Sequence, residues 1–281
     1  MKIPNFSYHL ARAKGGAIRK AYAAMLASGF RFSPQKRIRD LPFEVYSYSG
    51  ESALPEQVVS IRSLLQHAGH PPKFTVVSDG TYSGKSIALL HSLDPVVTVS
   101  PFKQWIPPAV PGELHSYLIG HPTGRQLALV MSLPRQGPAL YLDSDVLFFS
   151  AAAALATIGA DDAPALYLAD CKLSCDERLF REPAERSNPV NTGVLFLSQK
   201  LDWSFAVERY LQLYGVPNFF TNQTMTHLTM HANGARPFDP KKFVLQLDDQ
   251  FVYRDRYAGS EIVLRHYVNP VRHKFWTSLW R

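Results

Sequence analysis

The sequence predicts an α/β fold with a mostly parallel central sheet flanked by helices in the Rossmann-like manner. Three observations carry this expectation. From Leu41 onward, short apolar runs alternate with segments of helical spacing. The mid-chain stretch LYLDSDVLFF, Leu140–Phe149, reads as a buried strand. No internal repeat or linker divides residues 41–281, so one catalytic-sized domain is expected behind a distinct segment 1–40.

The elements follow in order. Phe43–Ser49 (FEVYSYS) is the first expected strand. Pro55–His67 has helical spacing of Val58, Ile61, Leu64 and Leu65, and Pro55 suits a first turn. Phe74–Ser78 is a second strand, ended by Asp79-Gly80. Ser86–Ser92 is a short helix and Val96–Val99 a third strand. The proline-rich Pro101–Pro111 connection is expected to be loop. Arg125–Leu133 is a helix leading to the DSD strand. Ala151–Ile158 is a further helix and Ala165–Ala169 a strand. Asn191–Leu197 (NTGVLFL) is a strand begun by a polar-glycine corner, and Asp202–Tyr214 is an amphipathic helix. Phe243–Leu247 and Glu261–Tyr267 close the set as late strands.

Charge is unevenly distributed. Residues 1–40 hold nine cations (Lys2, Arg12, Lys14, Arg19, Lys20, Arg31, Lys36, Arg37 and Arg39) against Asp40, while the whole chain carries +7. The rest of the protein is therefore close to neutral. Tyr8–Ala27 could lie as an amphipathic helix on an anionic membrane surface, or form a solubilising extension packed on the domain. Nucleic acid is not an expected partner, because the charge is terminal and no nucleic-acid motif accompanies it. No apolar run approaches the ~18–20 residues of a spanning helix. Cys171 and Cys175 suggest reduced thiols rather than a disulfide framework. A cytoplasmic location is expected, peripheral at the inner face of a membrane if the basic segment docks there.

Asp143 and Asp145 interrupt LYLDSDVLFF. Two carboxylates in a buried run need compensation, and a divalent cation with oxygen ligands is the usual form of it. An Asp-rich turn at a strand end is the plainer reading. Further along come LADCK with Asp170, NTGVLFL with Asn191, TNQTMTH with Asn222 and Gln223, and the closing LRHYVNPVRHKFW. In order and local pattern, residues 42–276 resemble glycosyltransferase family 8 and its GT-A-fold relatives.

The resemblance implies a GT-A-like catalytic domain over 41–281. It also implies transfer of a sugar from a nucleotide-diphosphate-sugar, a UDP-sugar being the first choice, with retention of configuration. Asp143 and Asp145 match the DxD carboxylates that hold Mn²⁺ or Mg²⁺, and His266 matches a third metal ligand. Imidazole favours Mn²⁺. Arg125 matches a basic residue near the donor nucleotide. Asp170 and Asn191 match groups that hydrogen-bond the donor sugar. Asn222 and Gln223 fall where the family commonly has Asp-Gln beside the anomeric carbon. Lys274 matches a lysine that grips the diphosphate.

Departures from the pattern matter. The closing segment is two residues longer than the family's HxxGxxKPW, so Arg272, His273 and Lys274 compete for the phosphate role. Asn222 replaces an acid, which disfavours a carboxylate nucleophile. The acceptor class (glycan, lipid, protein or small molecule) is not legible. A haloacid-dehalogenase-type phosphatase is disfavoured by the mid-chain place of DSD. A sugar nucleotidyltransferase is disfavoured by the missing glycine- and lysine-rich loop after the first strand. A catalytically silent sugar-nucleotide-binding module stays open.

Overall fold

The computed structural model describes residues 5–158 and 163–279. Lys2 of the basic segment lies outside them. The chain opens with α1 (Phe6–Ala27), capped by the Asn5 side chain accepting from the Tyr8 amide at 3.1 Å. There follow β1 (Glu44–Ser49), α2 (Leu54–His67), β2 (Phe74–Ser78), α3 (Gly84–Leu93), β3 (Val97–Pro101), α4 (Gly112–Gly120) and α5 (Pro122–Met131). Then come β4 (Ala139–Leu142), β5 (Val146–Phe148), β6 (Leu166–Ala169), β7 (Val190–Leu197), α6 (Ser204–Leu211) and α7 (Thr221–Ala232). The chain ends with β8 (Arg236–Pro237), β9 (Phe243–Val244), β10 (Leu264–His266) and α8 (Arg272–Thr277).

The central sheet has the order β3-β2-β1-β4-β7-β6-β8. It is parallel from β3 to β4, and β7 runs antiparallel to both its neighbours. The expected mostly parallel sheet is therefore present. Alternation along the strands feeds two cores. Val45, Val76, Leu140, Leu142 and Phe196 point to one face, under α2 and α3. Tyr46, Val77, Ala139, Tyr141 and Leu195 point to the other, under α5 and α7.

The DSD stretch departs from expectation. It is not one strand. The run ALYL ends β4 in the large sheet, the chain turns through Asp143-Ser144-Asp145, and VLF begins β5 in a second sheet of order β5-β10-β9. The two apolar halves satisfy two different sheets, and the carboxylates mark the corner, where Asp is at home. The Asp143 amide donates to the Gly193 carbonyl at 2.8 Å, and the Tyr267 amide to the Asp145 carbonyl at 2.9 Å. The corner is thus pinned between both sheets.

Other differences are local. Ala151–Ile158 forms a 3₁₀ helix over Ser150–Thr157. The Arg125 helix begins earlier, at Pro122, because His121 caps it and proline suits its first turn. The Pro101–Pro111 connection contains a 3₁₀ turn, Phe102–Trp105. The Asp202 helix starts at Ser204, whose amide donates to the Asp202 carboxylate at 2.9 Å. Helices α4 and α7 were not anticipated.

Within the basic segment, α1 packs on α8. The Gly15 backbone passes so close to the His273 carbonyl that an added Cβ would lie 2.2 Å from its oxygen. Tyr22 meets Trp276 with ring centroids 5.4 Å apart, and Arg19 pairs with Glu56 at 2.5 Å.

Candidate metal and donor-binding site

Three side chains from two segments converge at the seam of the two sheets. Asp143 and Asp145 come from the corner, and His266 comes from the end of β10. Their ligand atoms all lie within 4.8 Å of one another. The His266 Nε2 is 3.1 Å from Asp145 Oδ1 and 3.6 Å from Asp143 Oδ2.

The surrounding hydrogen bonds fix which atoms face inward. Tyr141 Oη donates to Asp143 Oδ1 at 2.8 Å, and Gln126 Nε2 donates to the same oxygen at 3.0 Å. Asp143 Oδ2 is left for the centre. Asn191 Oδ1 accepts the Gly193 amide at 2.9 Å, so that atom is an acceptor, and His266 Nδ1 at 2.9 Å must be its second donor. The other ring nitrogen, Nε2, then points at two carboxylates. Neutral, it would set a lone pair against oxygen lone pairs. Only a proton or a metal cation between them relieves this. Two carboxylate oxygens and one oriented imidazole nitrogen suit a divalent first-row ion. The residues fit the expected metal.

Electrostatics follow from burial and these neighbours. Burial pushes the Asp143 carboxyl up to about 6, although His266 and Arg272 pull the other way. Asp145 is buried too, yet His266 and Arg272 outweigh burial and hold it down at about 2. Burial opposes a charged His266, but Asp145 and Asp143 raise its pKa above the ordinary value. Arg272 reaches Asp145 Oδ2 with Nε at 3.0 Å and Nη2 at 2.5 Å.

These groups line a cleft of about 370 Å³ together with Asp170, Asn222, Gln223, Lys172, Phe219 and Phe220. Gln223 Nε2 donates to Asp170 Oδ2 at 3.1 Å and to the Ser174 carbonyl at 2.9 Å. Asn191 Nδ2 donates to the same Asp170 oxygen at 3.2 Å. Asn222 Nδ2 donates to Gln126 Oε1 at 3.0 Å, which orients the amide that holds Asp143. The cleft thus gathers Asp143, Asp145, Asp170, Asn191, Asn222, Gln223, His266 and Arg272.

Two expected site residues lie elsewhere. Lys274 is buried, and its Nζ donates to the carbonyls of Val252 at 2.6 Å and Arg254 at 2.7 Å, with Asp249 3.5 Å away. Residues two apart on a helix point roughly 200° apart, so with Arg272 in the cleft Lys274 must face inward. Of the three competing cations, Arg272 is the one at the metal ligands. Arg125 stands at the carboxyl ends of β1 and β2, with Nη1 3.3 Å from the Asp79 carbonyl and its guanidinium 5.8 Å from the Phe102 ring centre.

Lys274 belongs to a buried ionic group. Arg265, next to His266 on β10 but facing the opposite side, donates to both oxygens of Asp249 at 2.8 and 3.0 Å and pairs with Asp255. Asp255 also accepts from Tyr267 at 2.8 Å and Ser278 at 2.7 Å.

Sequence reasoning missed Gln126 and Tyr141. The alternation of β4 was a usable signal for Tyr141, since it lies two residues before Asp143. Gly193 also has a different role from the corner expected of it. It lies inside β7, where an added Cβ would fall 2.1 Å from His266 Cε1. Glycine there makes room for the imidazole.

No protein-family model matches the sequence, and no curated protein matches it. Solved structures do match. The galactosyltransferase LgtC, in complex with donor and acceptor sugar analogs, superposes with TM-score 0.57 at 14% identity, covering 84% of this chain and 95% of that one. The bifunctional glycosyltransferase WbbM gives 0.55 at 11% identity, over 89% of this chain and 51% of that one. The glycosyltransferase GlyE of Streptococcus pneumoniae TIGR4 gives 0.51 at 12% identity, over 85% and 60%. The chain has a glycosyltransferase fold, of the GT-A type expected from its sequence.

Proposed function

We propose that the protein is a metal-dependent glycosyltransferase acting on a nucleotide-diphosphate-sugar, with a UDP-sugar as the first choice of donor. One observation carries this reading: the inward-facing atoms of Asp143, Asp145 and His266 form an oxygen, oxygen, nitrogen set that could hold a divalent ion. Asp143, Asp145 and His266 would hold Mn²⁺, with Mg²⁺ as the alternative. When bound, the ion supplies Lewis acidity to the oxygens of the leaving diphosphate.

The remaining roles belong to side chains. Arg272, at the cleft and half exposed, takes the diphosphate role that the family pattern suggested for Lys274. Its guanidinium can exchange the Asp145 carboxylate for phosphate oxygens and stabilise charge as the leaving group departs. Arg125, with Tyr48 beside it, sits where nucleotides lie in open α/β sheets, outside the carboxyl ends of the strands. Asp170 and Asn191, both lining the cleft, would hydrogen-bond donor-sugar hydroxyls.

Gln223 and Asn222 line the cleft and would flank the reacting carbon, as the family resemblance implies. Both are amides and neither can act as a base. Retention by a front-face route, in which the departing phosphate takes the acceptor proton, suits a cleft with that lining. The acceptor would enter past Phe219 and Phe220.

The test is hydrolysis of UDP-sugars by the purified chain with and without Mn²⁺. Mn²⁺-dependent release of UDP, abolished in Asp145→Asn with the circular dichroism unchanged, is the expected result. Full release in excess chelator, or an active Asp145→Asn, would refute the reading. Ligand binding without turnover would favour the silent module.

A further inference from the structure

Helix α1 carries two apolar faces. Ala11, Gly15, Ile18, Tyr22 and Leu26 form the first, which packs inward against α8 and α2. The second consists of Phe6, Leu10, Ala13, Ala17, Ala21 and Ala24, all exposed. Their spacing repeats the helical period over the length of the element. By that period the second face lies about 140° around the helix from the first. Phe6 is 80% and Leu10 61% exposed. A packed helix needs one apolar face, and helix propensity explains the alanines of the second but not the exposed Phe6 and Leu10.

Cations border this face on both edges. By the helical period Lys20 lies next to Ala13 on one side, and Lys14 next to Leu10 and Ala21 on the other. Both are exposed. Arg31 and Lys36, in the chain that follows, are exposed as well. At the Lys14 edge the 251–253 loop adds one aromatic, Tyr253, whose ring centre is 5.9 Å from Lys14 Nζ. Two large apolar side chains at one end, alanines along the middle and lysines on both flanks describe a helix that lies in a lipid interface. No helix among the described residues is long and apolar enough to cross a membrane.

We propose that the outer face of α1 docks the protein flat on an anionic lipid bilayer. Phe6 and Leu10 enter the acyl boundary, the alanines allow close approach, and Lys14 and Lys20 meet lipid phosphates. The inner face stays on α8, so docking needs no unfolding. This inference does not rest on the chemistry of the cleft.

The experiment is co-sedimentation of the full chain with vesicles of phosphatidylcholine alone or with 30 mol% phosphatidylglycerol, at low and at physiological salt. Binding to the anionic vesicles, at least tenfold above pure phosphatidylcholine and falling as salt rises, is expected. Phe6→Ser with Leu10→Ser should weaken it at least tenfold, as should Lys14→Glu with Lys20→Glu. Unchanged melting temperatures show that both pairs fold. Absence of binding, equal binding to both vesicle types, or wild-type binding by both variants overturns the proposal. So does a dimer by analytical ultracentrifugation that Phe6→Ser with Leu10→Ser dissolves, because a second copy would then be the occupant.

Discussion

Gly193→Ala is the most discriminating test of the proposed metal centre, because it changes no ligand. The alanine methyl would fall 2.1 Å from His266 Cε1, 2.5 Å from Nδ1 and 2.9 Å from Asn191 Oδ1. Ordinary contact begins near 3.4 Å. The imidazole must therefore retreat by about 1.3 Å, whereas metal–ligand distances tolerate roughly ±0.2 Å. It cannot retreat by sliding β10, which is paired on both sides by β5 and β9. The ring must rotate, which breaks the Asn191 bond that orients it.

Overpacking of this kind costs about 1–3 kcal/mol of stability. Loss of one oriented ligand should weaken Mn²⁺ binding by roughly 10- to 100-fold or more. Isothermal titration calorimetry with Mn²⁺ on folded wild type and variant measures the effect directly. Wild-type Mn²⁺ affinity in Gly193→Ala would show that His266 is not a ligand and would refute the assigned geometry.

Three further outcomes follow from the same structure. Arg272→Ala should lower kcat by about 100- to 1,000-fold with a stability change under ~1 kcal/mol, whereas Lys274→Ala should cost about 3–5 kcal/mol in urea unfolding, since it strips a cation from a buried cluster. Apparent Mn²⁺ affinity should fall below about pH 6, more steeply than ~10-fold per pH unit, because both Asp143 and His266 must release protons to bind, and titrations at several pH values measure the slope. Burial first, and the nearby Lys274 second, push His273 down to about 4, so the unfolded chain takes up its proton before the folded one as pH falls. Stability should drop between about pH 6.5 and 4, by about 1–2 kcal/mol after allowance for partial exposure, as read from urea midpoints.

The alternating half of the fold was legible because each element carries a single period. Phe74–Ser78 is one strand in sequence and structure alike. The DSD corner was not, since ALYL and VLF read as one apolar run and nothing local says that they serve different sheets. Helix α7 was hidden by its composition: TNQTMTHLTMHA is rich in threonine, a weak helix former, and tertiary burial supplies what propensity lacks. The grouping of Asp143, Asp145 and His266 was expected from the family resemblance, which rests on the order of several motifs along the chain. The supporting residues could not, because Gln126 reaches Asp143 across 17 positions and looks like any surface amide in the sequence. Lys274 was misplaced for a geometric reason: a linear motif does not show which side of a short helix a residue occupies.

The buried ionic group behind β10 decides which wall of the cleft can move. Arg265 and Lys274 tie the strand carrying His266 and the helix carrying Arg272 to the carbonyls and carboxylates of residues 246–255. Shifting that wall would pull charges from their partners inside a dry interior, at several kcal/mol. This wall acts as an anvil. The opposite wall ends in Phe219 and Phe220, both exposed, and only its base is tied down, where Thr221 donates to Asp176 of the Asp176–Arg178 pair. Any change in the width of the cleft therefore falls first to the two exposed rings, while the side bearing His266 and Arg272 is held in register.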